Sequence, residues 1–194
     1  MSPPDPAVAT SRPAVATSRP AVATSRAVRR AMAGITVAVL AADQVTKSLV
    51  AAGRIRDGFS LGWLTVRVVR NHGASGSILS GYPILVTLVA LAVTAVAATL
   101  AVRVSGRAAA LCLAAVLGGA LGNLADRLFR SPGLGRGGVV DWIHLSFAGG
   151  GSLDLADLAI QFGVLGAVAA MLIAGPARKD GRDRPPHPAA DTTR

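Results

Sequence analysis

The chain reads as an all-α integral membrane protein: four transmembrane helices with a small extracytoplasmic β-rich cradle. Three observations predict this. Over 194 residues the composition is 52% hydrophobic and only 15% charged, too apolar for a water-soluble domain of this length. Four segments approach or exceed the roughly 20 apolar residues needed to cross a bilayer core of about 30 Å. Two glycine-rich segments between them are too polar to cross, and the first carries the alternation and turn residues of short strands.

Taken in order, residues 1–30 are expected to be a disordered basic tail. PAVATSR occurs there three times in tandem, at 6–12, 13–19 and 20–26, and proline and serine recur too often for a packed core. The stretch is not expected to be a cleavable signal peptide, because the apolar run that follows Arg29 and Arg30 is too long for one and continues into polar residues. The first span, about 31–52, carries Asp43 and Lys47, four residues apart and therefore on one helix face. Residues 54–80, with FSLGWLTVRVVRN, predict strands and turns outside the membrane.

The second span, about 82–102, opens at Tyr82 and Pro83 and carries no chemistry. A short basic connection containing Arg103 and Arg107 implies an antiparallel neighbour, the third span at about 108–127. Gly118, Gly119 and Gly122 in that span permit close helix contact. Residues 128–155 form the second polar segment, the fourth span covers about 156–175, and residues 176–194 are a second basic tail. Residues 31–175 are thus the expected membrane domain.

The formal net charge of +10 does not point to nucleic acid, because the basic residues gather in tails and short loops instead of on a folded polar face. Twelve of the twenty Lys and Arg residues lie in the two tails and the 103–107 turn. Positive charge favours the cytoplasmic side, so both termini are expected there and both glycine-rich segments on the outer face. Cys112, the sole cysteine, sits in an apolar span without a histidine base and reads as a packing residue. Trp63 and Trp142 fit an interfacial aromatic belt.

With that topology Asp43, Asp126, Asp141 and Asp157 converge toward the outer half of the bundle. A carboxylate beside hydrocarbon costs several kcal/mol unless it is paired, protonated or in water, so such acids are functional candidates. Two carboxylates sharing a site hold one proton between them, the arrangement that activates a water and protonates a leaving amine in aspartic peptidases. The chain has no HExxH motif, no Cys/His cluster and no serine in a nucleophile motif. His72 and His144 are too few to make a metal site. No metal and no cofactor is expected.

The motifs DQVTK at 43–47, NHGAS at 71–75, GNLADR at 122–127, VVDWI at 139–143 and LADLA at 155–159 occur in the order found in lipoprotein signal peptidases, and the chain resembles that family (signal peptidase II) along its whole core. The resemblance implies an aspartic endopeptidase that cuts membrane-bound prolipoproteins before their lipid-modified cysteine. It implies Asp141 and Asp157 as the catalytic pair. Asn71, Asn123 and Arg127 would line the substrate groove, Asp43 and Asp126 would support the site, and Lys47, Gly73 and Asp154 count with these substrate-binding or supporting residues. The expected partners are lipid-modified prolipoproteins and membrane lipids, and the expected state is a monomer in the bacterial cell membrane.

Two readings stay open beside these. Asp43 with Lys47, and Asp126 with Arg127, can be structural ion pairs. A rival class is a four-span transporter using the acids as a proton or cation relay, although it would be expected to keep an acid near the midplane, whereas here the acids lie toward one end. The chain also departs from the family pattern. Asp154 occupies the place of an amide, Leu158 that of a serine, and the asparagine motif is loosened to NHGASGS. An added negative charge at Asp154 should raise the proton affinity of the pair or require a local cation.

Overall fold

The computed structural model describes residues 25–74, 78–147 and 151–174. The PAVATSR repeats up to residue 24 and the C-terminal tail from residue 175 lie outside the described residues. The chain forms four helices long and apolar enough to cross a membrane: α1 (Arg26–Ala51), α2 (Pro83–Arg103), α3 (Arg107–Phe129) and α4 (Leu155–Ala174). Even α4, with 20 residues, reaches about 30 Å at about 1.5 Å per residue.

The helix boundaries follow local chemistry. α1 begins at Arg26 rather than near residue 31, because Ser25 supplies a cap: its Oγ accepts the Val28 N–H at 3.3 Å, satisfying one of the free donors at a helix start. Arg26–Arg30, expected in the disordered tail, are therefore helical. α2 starts on Pro83, whose missing N–H costs nothing in the first turn. It is connected to α3 through residues 104–106, so the two are antiparallel neighbours as the short basic connection predicts.

α3 is the central helix, packed against each of the other three and more buried than any of them. Its glycines make that position possible. A Cβ on Gly119 would lie 2.5 Å from the Ala156 carbonyl oxygen of α4, closer than any real contact, so a methyl group there would force the two helices apart. Cys112 is partly buried and packs against a cluster of Ala97, Ala101, Leu113, Val116 and Ala167, the packing role expected of it. Leu88, Val89 and Leu91 of α2 and Phe162, Leu165 and Leu172 of α4 are exposed, an arrangement suited to lipid and costly in water. Threonine hydroxyls within the spans are satisfied: Thr36 Oγ1 donates to the Ala114 carbonyl at 2.9 Å, tying α1 to α3, and Thr87 Oγ1 to the Gly135 carbonyl at 2.9 Å.

The two polar segments join in one four-stranded antiparallel sheet, β1 (Ser60–Leu61), β2 (Leu64–Asn71), β3 (Val139–Leu145) and β4 (Ser152–Leu153), in the order β1-β2-β3-β4. β1 and β2 lie between α1 and α2, β3 and β4 between α3 and α4, so the sheet covers one end of the bundle. Its central pairing runs from Leu64 opposite Leu145 to Asn71 opposite Val139, with a register shift between Val66 and Val69. After the shift Val69 faces Asp141, which leaves Asn71 as a diagonal neighbour of that acid. Trp63 and Phe147 meet edge to face with ring centroids 5.5 Å apart, and the Ser146 N–H donates to the Trp63 carbonyl at 2.9 Å. Trp63 is largely exposed at this edge while Trp142 is half-buried.

Candidate active site

Where the sheet meets the helix ends, Asp43, Lys47, Asp126, Asp141, Asp154 and Arg127 are all buried, and Asp157 is partly buried. Each comes from a different part of the chain: Asp43 and Lys47 from the last turns of α1, Asp126 and Arg127 from the end of α3, Asp141 from β3, Asp154 from the residue preceding α4 and Asp157 from its first turn.

Lys47 is the centre of the charge distribution. Its Nζ lies 2.9 Å from Asp43 Oδ2, 3.0 Å from Asp126 Oδ2 and 2.7 Å from Asp154 Oδ2, with the lysine and all three acids completely buried. Asp154 Oδ2 has no partner other than this ammonium among the described residues. Lys47 also donates to Asn123 Oδ1 at 2.9 Å. The expected Asp43–Lys47 pair is present, and the cation required by the extra charge at Asp154 is the same ammonium. Ionic groups this deep persist only when paired and hydrogen-bonded.

The supporting acids do more than balance charge. Asp43 Oδ1 accepts the N–H of Ala156 at 3.1 Å, fixing the residue before Asp157. Asp126 Oδ2 accepts the N–H of Val140 at 3.2 Å, fixing the residue before Asp141. Each candidate catalytic acid therefore has its backbone held by another carboxylate. Each also has its own asparagine: Asn71 Nδ2 donates to Asp141 Oδ2 at 3.3 Å, and Asn123 Nδ2 to Asp157 Oδ1 at 3.1 Å. Asn71 Oδ1 accepts the Gly73 N–H at 3.0 Å, and the Gly73 backbone carbonyl accepts from Arg127 Nη2 at 2.8 Å. Gly122 leaves room for this packing, since a Cβ there would collide with the Asp43 carboxylate.

Asp141, Asp154 and Asp157 each offer a carboxylate oxygen within 4.8 Å of the others. Burial pushes the Asp141 carboxyl up to about 7, and the neighbouring Asp154 and Asp157 carboxylates add to the rise, opposed by the Asn71 hydrogen bond and by Lys47. Burial also pushes Asp154 above the ordinary carboxylate range, with the Lys47 ammonium opposing it.

Two partners were not foreseen. Asp126 does not pair with Arg127; adjacent residues on a helix point about 100° apart. Its partners are Lys47, Gln44 and Arg130, the last one turn further along α3. The i,i+4 spacing of Asp126 and Arg130 was the available signal. Gln44 Nε2 bridges Asp43 Oδ2 at 3.1 Å, the Gly122 carbonyl at 3.1 Å and Asp126 Oδ1 at 3.0 Å. Beyond its place beside Asp43, nothing in the sequence marked it. His72 and His144 bond elsewhere, to the Arg136 carbonyl and the Ser152 hydroxyl, and among the described residues neither joins the group of three acids.

A sequence model of the signal peptidase (SPase) II family matches residues 35–173, a stretch that includes every residue of this site. The chain belongs to the signal peptidase II family. Among its relatives is a lipoprotein signal peptidase of Leifsonia xyli, 36% identical over 135 residues, which are 68% of this chain and 62% of that protein. Lipoprotein signal peptidases of Streptomyces coelicolor and Rhodococcus jostii are 41% and 42% identical, over 52% and 56% of this chain. The matched stretches span 48% and 57% of those two proteins, so the chain matches about half to three fifths of the length of these relatives. A bacterial membrane enzyme solved by the in meso method superposes with a TM-score of 0.62 at 25% identity, covering 77% of this chain and 92% of that one. Membership in the signal peptidase II family removes support from the transporter reading.

Proposed function

We propose that this protein is an aspartic endopeptidase that removes the signal peptide from diacylglyceryl-modified prolipoproteins, cutting before the lipidated cysteine, with Asp141 and Asp157 as the catalytic pair. The observation that carries the reading is the approach of these two carboxylates at the sheet end of the bundle, each held by its own asparagine. One acid is ionised and takes a proton from a water whose oxygen attacks the scissile carbonyl carbon. The other is protonated, donates to the carbonyl oxygen as it becomes tetrahedral, and the proton gained from water passes to the leaving nitrogen as the C–N bond breaks. Arg127 Nη1 is buried and finds no partner among the described residues. It is a donor available to a backbone carbonyl of the substrate, while Nη2 remains on Gly73.

The sheet end of the bundle is assigned to the extracytoplasmic face and both termini to the cytoplasm, supported by the positive charge of the tails and the 103–107 turn. The exposed apolar faces of α2 and α4 would contact acyl chains.

The test is cleavage of a lipid-modified prolipoprotein and of its unlipidated form by the purified protein. Product from the lipidated precursor alone is expected; no cleavage of either in several lipid mixtures would sink the proposal. A pH profile follows from the same site. The pair works with one shared proton, and the Asp141 carboxyl is pushed up to about 7, so the proton is held below that value and lost above it. We expect kcat/KM to fall as pH rises through about 7; a profile flat from 6 to 9 would contradict the shared-proton mechanism.

A further inference from the structure

Asp154 stands where the family pattern has an amide, and its two oxygens have different tasks. Oδ1 accepts the Asp157 N–H at 2.7 Å, in the manner of a helix N-cap at the start of α4. Oδ2 lies 2.7 Å from the Lys47 ammonium. Through Lys47 it is linked to Asn123 and so to the Asp157 carboxylate itself. We propose that Asp154 is a positioning residue of the peptidase: it fixes Asp157 from the backbone side, and its charge sets the pH at which the Asp141–Asp157 pair gives up its shared proton. This inference rests on the proposed catalytic pair.

The charged and titratable groups around it come from every neighbouring element. α1 supplies Asp43 and Lys47, α3 supplies Asp126 and Arg127, β3 supplies Asp141, and α4 supplies Asp157. Arg130 is occupied with Asp126. One ammonium is thus divided among Asp43, Asp126 and Asp154, and its pull on the pair is weakened by each acid that shares it. An amide at position 154 would remove one negative charge from beside the pair and leave Lys47 less neutralised. Both changes favour the ionised pair, so its shared proton should leave at lower pH.

The experiment compares wild type with Asp154→Asn and with Asp154→Ser, which keeps a capping oxygen without the charge. Two readouts are used: the pH dependence of kcat/KM, and titration of carboxyl carbons in protein labelled with 13C-aspartate. The alkaline limb and the highest carboxyl titration of both variants are expected to move down by about one pH unit or more, within the 1 to 3 units that a nearby charge typically produces. A fall in activity at all pH values with unmoved midpoints would overturn the proposal and leave Asp154 a structural cap. The carboxyl titration requires no cleavage. If wild type cuts nothing, the peptidase reading fails, while the shift in the titration still decides whether Asp154 controls these acids. Serine, a good cap, keeps the test open should the asparagine variant fold poorly.

Discussion

Asp141→Asn and Asp157→Asn are each expected to lower cleavage of a lipid-modified prolipoprotein by at least about a thousandfold, within the 10²–10⁴ range that positioned acid–base groups contribute. Asparagine has nearly the shape of aspartate and keeps a carbonyl oxygen. At position 157 that oxygen can still accept from Asn123 Nδ2, and at position 141 from Asn71 Nδ2. The backbone constraints on both sites are untouched, because they run to the amides of Ala156 and Val140 and to Asp157 N–H. What is lost is the ability to take or give a proton. Insertion, helix content and thermal unfolding in detergent should therefore match wild type while cleavage disappears. A variant that retains a tenth or more of wild-type activity would remove its residue from the catalytic pair.

The second large effect is on stability. Lys47→Gln leaves Asp43, Asp126 and Asp154, all fully buried, without the ammonium that lies within 3.0 Å of each. Breaking a buried pair by deleting one partner costs about 3–5 kcal/mol, because the remaining charge has no compensation; here three carboxylates are left. Equilibrium unfolding in detergent should show a loss of at least that size at neutral pH. Combining Lys47→Gln with Asp154→Asn should cost less than the sum of the two single changes, since the second removes a charge that the first orphaned. A loss below about 1 kcal/mol in Lys47→Gln would mean that Arg130, Gln44 and backbone amides satisfy the acids unaided.

Much of this arrangement was legible in the chain. The spans could be read because lipid-facing helices need no polar face, so each appears as a nearly unbroken apolar run between basic or glycine-rich stretches. The alternation of β2 was visible in its residues, although the register shift between Val66 and Val69 interrupts it in the sheet. The acids stood out because charge is rare beside hydrocarbon, and Asp43 with Lys47 was readable from spacing along one helix. The convergence on Lys47 was not, since Asn123 and Asp154 approach it from distant parts of the chain. The role of Asp43 at Ala156 spans 113 residues of sequence. The ion pair left open for Asp126 and Arg127 is not formed because neighbours along a helix diverge, and the start of α1 was displaced because a single serine side chain can cap a helix that composition alone assigns to a tail.

The placement of Lys47 has a consequence for how the protein is made. α1 leaves the ribosome first, and while it stands alone in the bilayer its lysine has Asp43, four residues away, as its local partner. Asn123 and Asp126 follow only when α3 has been synthesised, and Asp154 only when α4 is about to enter. The first span carries a debt of unsatisfied polarity that residues of α3 and of the segment before α4 settle. A nascent chain stopped before residue 154 would hold its earlier helices with an incomplete charge cluster at their ends. Assembly and chemistry are thereby joined: the last acid to reach Lys47 is also the residue whose Oδ1 accepts the Asp157 N–H.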